Sequence, residues 1–164
     1  MEDRLTMLLF HCAQNNTFIK KITVLLNRYS SYGVGVVYGS MVLFLLWNQD
    51  KRLLRLILVP AAVYVLVTAL RILFHRPRPF EQLKITPLVP HGKGKSFPSR
   101  HVASAVIIAM GGLYLNFWLG AVLLLFSFVL CLARVMAGVH YPRDVIGAAF
   151  ISMFIGYICF FVLV

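Results

Sequence analysis

Ser96-Phe97-Pro98-Ser99-Arg100-His101 opens a stretch that closes with Arg134, His140 and Asp144; between them, Val102 to Ala133 runs for 32 residues without a charge or a histidine. As a single helix that run would be ~48 Å long at 1.5 Å per residue, well beyond the ~30 Å hydrocarbon core of a bilayer. It must fold back. Asn116-Phe117-Trp118-Leu119-Gly120 is the natural bend, since it holds the only Asn of the run, a Trp suited to the membrane interface and a Gly that relaxes the backbone. A helical hairpin bent there returns Ser99, Arg100 and His101 to the membrane face that carries Arg134, His140 and Asp144. Two histidines, two arginines, a serine and a carboxylate then share one neighbourhood.

Composition places the whole chain in the membrane. Of 164 residues, 60% are hydrophobic, and the mean hydropathy of +0.85 is far outside the range of soluble domains. Sixteen Lys and Arg against five Asp and Glu give a formal charge of +11, which suits anionic lipid headgroups and requires no nucleic acid. From residue 82 onward the single carboxylate is Asp144, four residues after His140. A lone acid among basic groups at a membrane boundary reads as a chosen partner. Cys12, Cys131 and Cys159 lack metal-ligand spacing and read as packing residues. Glu2 and Asp3 precede Arg4, so the N-terminus is not expected to be a cleaved secretory signal.

Taken in order, residues 1–30 mix apolar side chains with Arg4, Lys20, Lys21 and Arg28, and the expectation is an amphipathic interfacial helix. Tyr29-Ser30-Ser31-Tyr32-Gly33 is expected to break it before a first span from Val34 to Trp47. Leu53 to Phe74 forms the second, with Pro60 tolerated inside it, Arg55 able to snorkel and Arg71 in its last turn. Residues 75–98, rich in Pro and Gly, form an ordered loop at the active face, and Ser99 is a suitable N-cap for the helix that follows. Further spans run near His101 to Leu115, Gly120 to Ala137 and Asp144 to Val164. The expected fold is all-α: a polytopic membrane bundle of five spans plus the amphipathic N-terminal helix, six helices in one domain, 1–164, without internal repeat. The N-terminal segment, the 75–98 loop and residues 134–144 fall on one side of the membrane.

An anion site needs positive donors converging from several segments, and Arg71, Arg78, Ser99, Arg100 and Arg134 supply them. Arginine's planar fork donates two parallel hydrogen bonds to phosphate, and the N–H groups of the helix after Ser99 point to the same place. Two histidines complete the requirements of phosphoryl transfer, one to attack phosphorus and one to protonate the leaving oxygen. Asp144 lies one helical turn from His140 and can fix its tautomer, so His140 suits the nucleophile and His101 the acid. His91 can cover a substrate phosphate or face solvent, His11 and His75 read as interfacial polar residues, and Glu81 is expected to pair with a nearby Arg or Lys.

These residues resemble the type-2 phosphatidic acid phosphatase superfamily. That family carries Lys, six residues and Arg-Pro; then Pro-Ser-Gly-His; then Ser-Arg, five residues, His, three residues and Asp. Here the first reads Arg71, six residues, Arg78-Pro79; the second Pro98-Ser99-Arg100-His101; the third Ala133-Arg134, five residues, His140, three residues, Asp144. Three positions depart from the pattern. Arg71 keeps the charge of Lys, Ala133 removes a hydroxyl, and Arg100 in place of Gly adds a cation that favours a diphosphate over a monoester. The wider stretch Arg78-Pro79-Phe80, Pro90-His91 and Ser96 to Ser99 is similar to bacterial undecaprenyl-diphosphate phosphatases of the bacitracin-resistance type.

The resemblance implies a metal-independent enzyme that uses no cofactor. His140 attacks phosphorus to give a phosphohistidine, His101 protonates the departing lipid-linked oxygen, Asp144 orients His140, and Arg71, Arg78, Ser99 and Arg134 hold the phosphoryl oxygens. The implied substrate is a membrane lipid phosphate, above all a polyprenyl diphosphate of cell-wall carrier recycling; phosphatidylglycerophosphate and phosphatidic acid are the alternatives. The implied location is the bacterial cytoplasmic membrane with the site on the extracytoplasmic face, and no obligate protein partner follows. A small transporter or channel is the competing class, but the polar groups gather at one face and none lies mid-span. A purely structural membrane subunit leaves the His140–Asp144 spacing unexplained.

Overall fold

Two asparagines decide where long apolar helices begin. Asn16 and Asn116 both sit in extended backbone; the Asn16 side-chain oxygen accepts from the Phe18 and Ile19 N–H groups at 3.0 and 3.1 Å, and that of Asn116 from Leu119 N–H at 3.1 Å. Each oxygen satisfies first-turn donors that the helix itself leaves unpaired. In the computed structural model, which describes residues 1–163, the chain is all-helical: α1 (Glu2–Asn15), α2 (Thr17–Trp47), α3 (Leu53–Phe74), the single turn α4 (Pro79–Gln82), α5 (Arg100–Leu115), α6 (Phe117–Met136) and α7 (Pro142–Tyr157), which runs into a π-helical turn at Ile158–Val162. Six of these helices are at least 14 residues long. No strand occurs among the described residues.

Four segments are long and apolar enough to cross a bilayer: Thr17–Trp47, Leu53–Gln82, Phe117–Met136 and Pro142–Val162. The fifth apolar helix, α5, has 16 residues, or ~24 Å. It lies at the centre, touching α2, α3, α6 and α7, and every residue from Val102 to Gly112 except Ser104 is buried. Leu56, Val59, Val63 and Val67, one face of α3 at intervals of three and four, pack with Val102, Val106 and Met110 in the same core. Large apolar side chains such as Phe44, Trp118, Leu125, Phe128 and Phe150 face outward, as expected where the solvent is lipid.

The N-terminal region corrects the sequence reading. The expected break at residues 29–33 is absent, because α2 is one helix of 31 residues; the interruption lies at Asn16. In a bilayer each backbone bond given up must be replaced, so two serines and a glycine are insufficient to open a helix. Asn27 and Ser30 are buried on its inner side, whereas Tyr29 and Tyr32 are exposed. Asn16 in Asn15-Asn16-Thr17 carries the capping signal for α2. The helix bounds expected at 53–74, at the Asn116 bend and at the start of the last helix agree with the structure to within a few residues.

At the hairpin, Gly120 packs against Leu113: a Cβ added there would collide with the Leu113 backbone as well as its side chain. A Cβ on Gly39 of α2 meets nothing within 4 Å. Gly120→Ala is therefore expected to lower the thermal midpoint in detergent by several degrees, whereas Gly39→Ala leaves it unchanged or slightly higher. Equal midpoints for both variants would show that the hairpin does not depend on this approach.

Candidate active site

Four helix ends meet at one face of the bundle. Arg71 is in the last turn of α3, His101 is the second residue of α5, Arg134 is in the last turn of α6 and Asp144 is in the first turn of α7. The N-termini of α5 and α7 are adjacent, since Ser99 N–H donates to the Asp144 carbonyl at 3.1 Å. Both present the positive ends of their dipoles to the site.

The arginines are buried and are held by neutral oxygens. Arg71 donates to the Pro98 carbonyl at 2.9 Å. Arg78 donates to the Gly94 carbonyl at 3.1 Å and the Val139 carbonyl at 2.9 Å. Arg134, fully buried, donates to Asn27 Oδ1 at 2.7 Å, touches His101 Nδ1 and stands 3.4 Å from His91 Nε2, with its own Nε unpaired. Ser99 occupies the N-cap of α5, yet its buried hydroxyl makes no capping bond and has no partner. Arg100 alone of the expected phosphate ligands is exposed. It lines, with His101, Ser30, Val34 and Tyr64, a cleft of about 340 Å³ among α2, α3, α5 and α6.

His140 is 1% exposed, and Arg78 Nη1 stands 3.5 Å from its Nε2. A guanidinium only donates, so Nε2 presents its lone pair and Nδ1 carries the proton. Nδ1 faces Ser96 Oγ at 3.5 Å, with Asp144 Oδ2 at 3.8 Å, beyond hydrogen-bond range. Ser96 in turn donates to Asp144 Oδ2. The direct His140–Asp144 contact expected from the four-residue spacing is thus bridged by a serine. By the same logic the Arg134 contact leaves His101 Nδ1 as acceptor and Nε2 as N–H donor.

Several of these partners escaped the sequence reading. Asp144 Oδ1 accepts from Arg76 at 2.8 Å and Oδ2 from Tyr141 N–H at 2.9 Å; Arg76 also reaches Glu2 at 3.1 Å and stacks 4.5 Å from the centre of the Tyr141 ring. Nothing in the His75-Arg76-Pro77-Arg78 run singled out Arg76 from its neighbours. Asn27 was legible, for Thr23, Asn27 and Ser30 recur at helical spacing and are all buried. Glu81 does not form the expected side-chain ion pair; its carboxylate accepts from the backbone N–H of Arg78 at 2.9 Å and Gly94 at 2.8 Å, which fixes the 75–98 loop. His91 Nδ1 bonds the Pro90 carbonyl at 2.9 Å, and its ring lies 6.0 and 6.3 Å from those of His101 and His140.

A bundle of apolar helices with a buried cationic, two-histidine pocket at one end is the site of a membrane-embedded phosphohydrolase. The chain belongs to the PAP2 superfamily, whose family model matches residues 52–163; it is a hydrolase and an integral-membrane phosphatase. It is 27% identical over 148 residues to the undecaprenyl-diphosphatase BcrC of Bacillus subtilis, across 90% of this chain and 77% of that protein. Among solved structures it is similar to Aquifex aeolicus LpxE, with a TM-score of 0.77, 29% identity and coverage of 95% of this chain and 92% of the other. The first transmembrane PAP2-type phosphatidylglycerolphosphate phosphatase from Bacillus subtilis shares the fold, with a TM-score of 0.78 over 96% and 82% of the two chains, at 17% identity.

Burial, reinforced by the charges of Arg134 and Arg78, pushes the His91 imidazole down to about 4 and holds His140 well below the ordinary imidazole value. Both rings are neutral at pH 7. An imidazole whose pKa is lower in the folded chain binds fewer protons there than when unfolded; its contribution to stability is present above about pH 6.5 and is lost as pH falls toward 4. The thermal midpoint is therefore expected to fall between pH 6.5 and 4. His91→Gln should lessen that fall without abolishing it, because His140 remains; parallel curves for the two proteins would contradict the assignment.

Proposed function

We propose that this protein hydrolyses a polyprenyl diphosphate, undecaprenyl diphosphate in a bacterium, to the monophosphate and inorganic phosphate through a phosphohistidine. The observation that carries this reading is the cleft that Arg100 and His101 share among α2, α3, α5 and α6, with His101 in turn touching the buried Arg134. A diphosphate entering sideways places its terminal phosphoryl group among Arg71, Arg78, Ser99 and Arg134, and its lipid-linked phosphoryl group beside Arg100. A monoester leaves Arg100 unmatched. The name of the BcrC relative supports the same substrate class.

In the reaction His140 Nε2 attacks the terminal phosphorus, and the bond to the bridging oxygen breaks with its electron pair going to that oxygen. The four phosphate ligands offset the charge of the transition state. Bound substrate draws Arg134 from His101 onto phosphate and favours the imidazolium by its negative charge, so that His101 can protonate the departing lipid monophosphate. Water then attacks the phosphorus of phosphohistidine, gives its proton to the now neutral His101, and phosphate leaves with the phosphorus–nitrogen electron pair returning to Nε2. Asp144, through Ser96, holds the His140 ring in the tautomer that permits attack. No metal is required in this scheme: the groups that converge are cationic or imidazole, a poor oxygen set for Mg²⁺. In the membrane α2, α3, α5, α6 and α7 make five crossings and α1, packed against α2, α6 and α7, lies at the interface. The site faces outward from the bacterial cytoplasmic membrane, where the spent cell-wall carrier is released.

Purified protein in detergent with EDTA is expected to release phosphate from a polyprenyl diphosphate faster than from phosphatidylglycerophosphate or phosphatidic acid. His140→Ala and His101→Ala should each reduce turnover by at least about a hundredfold while the thermal transition persists. Activity that vanishes in EDTA and returns with Mg²⁺, or a monoester preference, would overturn the reading.

A further inference from the structure

The inner side of α2 is polar where it passes the site, and the family match begins only at residue 52. Thr23, Asn27 and Ser30 are each buried on that side. Thr23 and Asn27 are accounted for. The Thr23 hydroxyl meets Met136 Sδ at 4.0 Å, and Asn27 bonds Arg134 as well as the Thr23 and Ala133 carbonyls at 2.8 and 2.9 Å. Ser30 differs: it is 4% exposed, its hydroxyl has no hydrogen-bond partner, and it lines the cleft that holds Arg100 and His101. A serine in a helix can return its proton to a carbonyl four residues back, as Ser40 does to Val36. A buried hydroxyl left without any partner costs free energy unless something polar meets it.

We propose that Ser30 and Arg100 together bind the phosphoryl group that departs with the lipid, which makes Ser30 a specificity-determining residue for diphosphates. This rests on the phosphatase reading above and adds a residue from outside the matched region. The placement follows from the reaction. His101 must reach the bridging oxygen, so the second phosphorus falls within the cleft that Ser30 and Arg100 line together with His101. One oxygen of that group accepts from the Ser30 hydroxyl and another from the guanidinium. The group takes no part in bond breaking; it leaves as the lipid monophosphate, and its two contacts hold the bridging oxygen against His101.

The test compares kcat/KM for farnesyl diphosphate and farnesyl monophosphate in detergent. Ser30→Ala removes a hydroxyl that bonds nothing in the free protein, so its thermal midpoint should match that of the unmodified chain. The diphosphate-to-monophosphate ratio should fall by about tenfold, the equivalent of one charge-assisted hydrogen bond. Ser30→Asp, which sets a carboxylate against the second phosphoryl group, should lower the ratio further, and Arg100→Gly should lower it as well. An unchanged ratio in both Ser30 variants would overturn the proposal while leaving the phosphatase reading intact. An unmodified protein that prefers the monophosphate, or whose His140→Ala variant retains turnover, would overturn the reading itself and the Ser30 assignment with it.

Discussion

The site depends on three buried guanidinium groups held close together without being neutralised. Arg71, Arg78 and Arg134 repel one another, and burial at a membrane face strengthens that repulsion. Among the described residues no carboxylate is in ion-pair contact with any of them. Carbonyl oxygens of Pro98, Gly94 and Val139 and the amide of Asn27 hold them instead. Neutral acceptors fix an arginine's position while leaving its charge for a ligand. The acids in the neighbourhood are kept occupied: Asp144 by Arg76, Ser96 and the Tyr141 N–H, and Glu81 by two backbone N–H groups. An incoming phosphate is therefore the missing counter-charge.

The same requirement accounts for the bundle's layout. The carbonyls that serve these arginines, those of Pro98, Gly94 and Val139, all lie outside the helices, where no helical N–H competes for them. Hence the cluster sits where α3 and α6 finish, α5 and α7 start and the 75–98 loop folds over them. The hairpin at Asn116 and the close approach at Gly120 bring α5 and α6 together, and His101 and Arg134 meet as a result. The N-terminal helix is drawn in as well, since Glu2 bonds Arg76 and also Arg143. It thereby links the start of the chain to the carboxylate beside His140.

Much of this was legible in the sequence because membrane helices announce themselves by length and because the polar residues are few. The 32-residue uncharged run forced a hairpin, and the hairpin brought the two halves of the constellation to one face. What was not legible had a common physical cause. Ser96 and Arg76 act through which way a side chain points, and composition does not carry that information for a short polar residue or for one of the two arginines at 75–78. The supposed break at residues 29–33 failed for a related reason: turn-forming residues open a helix in water, where the freed backbone is hydrated, but not where the bundle and lipid surround it. Arg100 is expected as a phosphate ligand from its charge beside Ser99 and His101, and only the structure shows it exposed in a cleft whose lining includes none of the three buried arginines.

The central claim is that His140 becomes covalently bonded to phosphorus while the arginines hold the transferred group. The most direct measurement is alkaline quenching of the purified protein during turnover of a terminally labelled polyprenyl diphosphate, followed by mass-spectrometric location of the label. The account predicts an alkali-stable, acid-labile phosphoryl group on His140, absent from His140→Ala. Label on another residue, or full turnover with no labelled protein at any quench time, would contradict it.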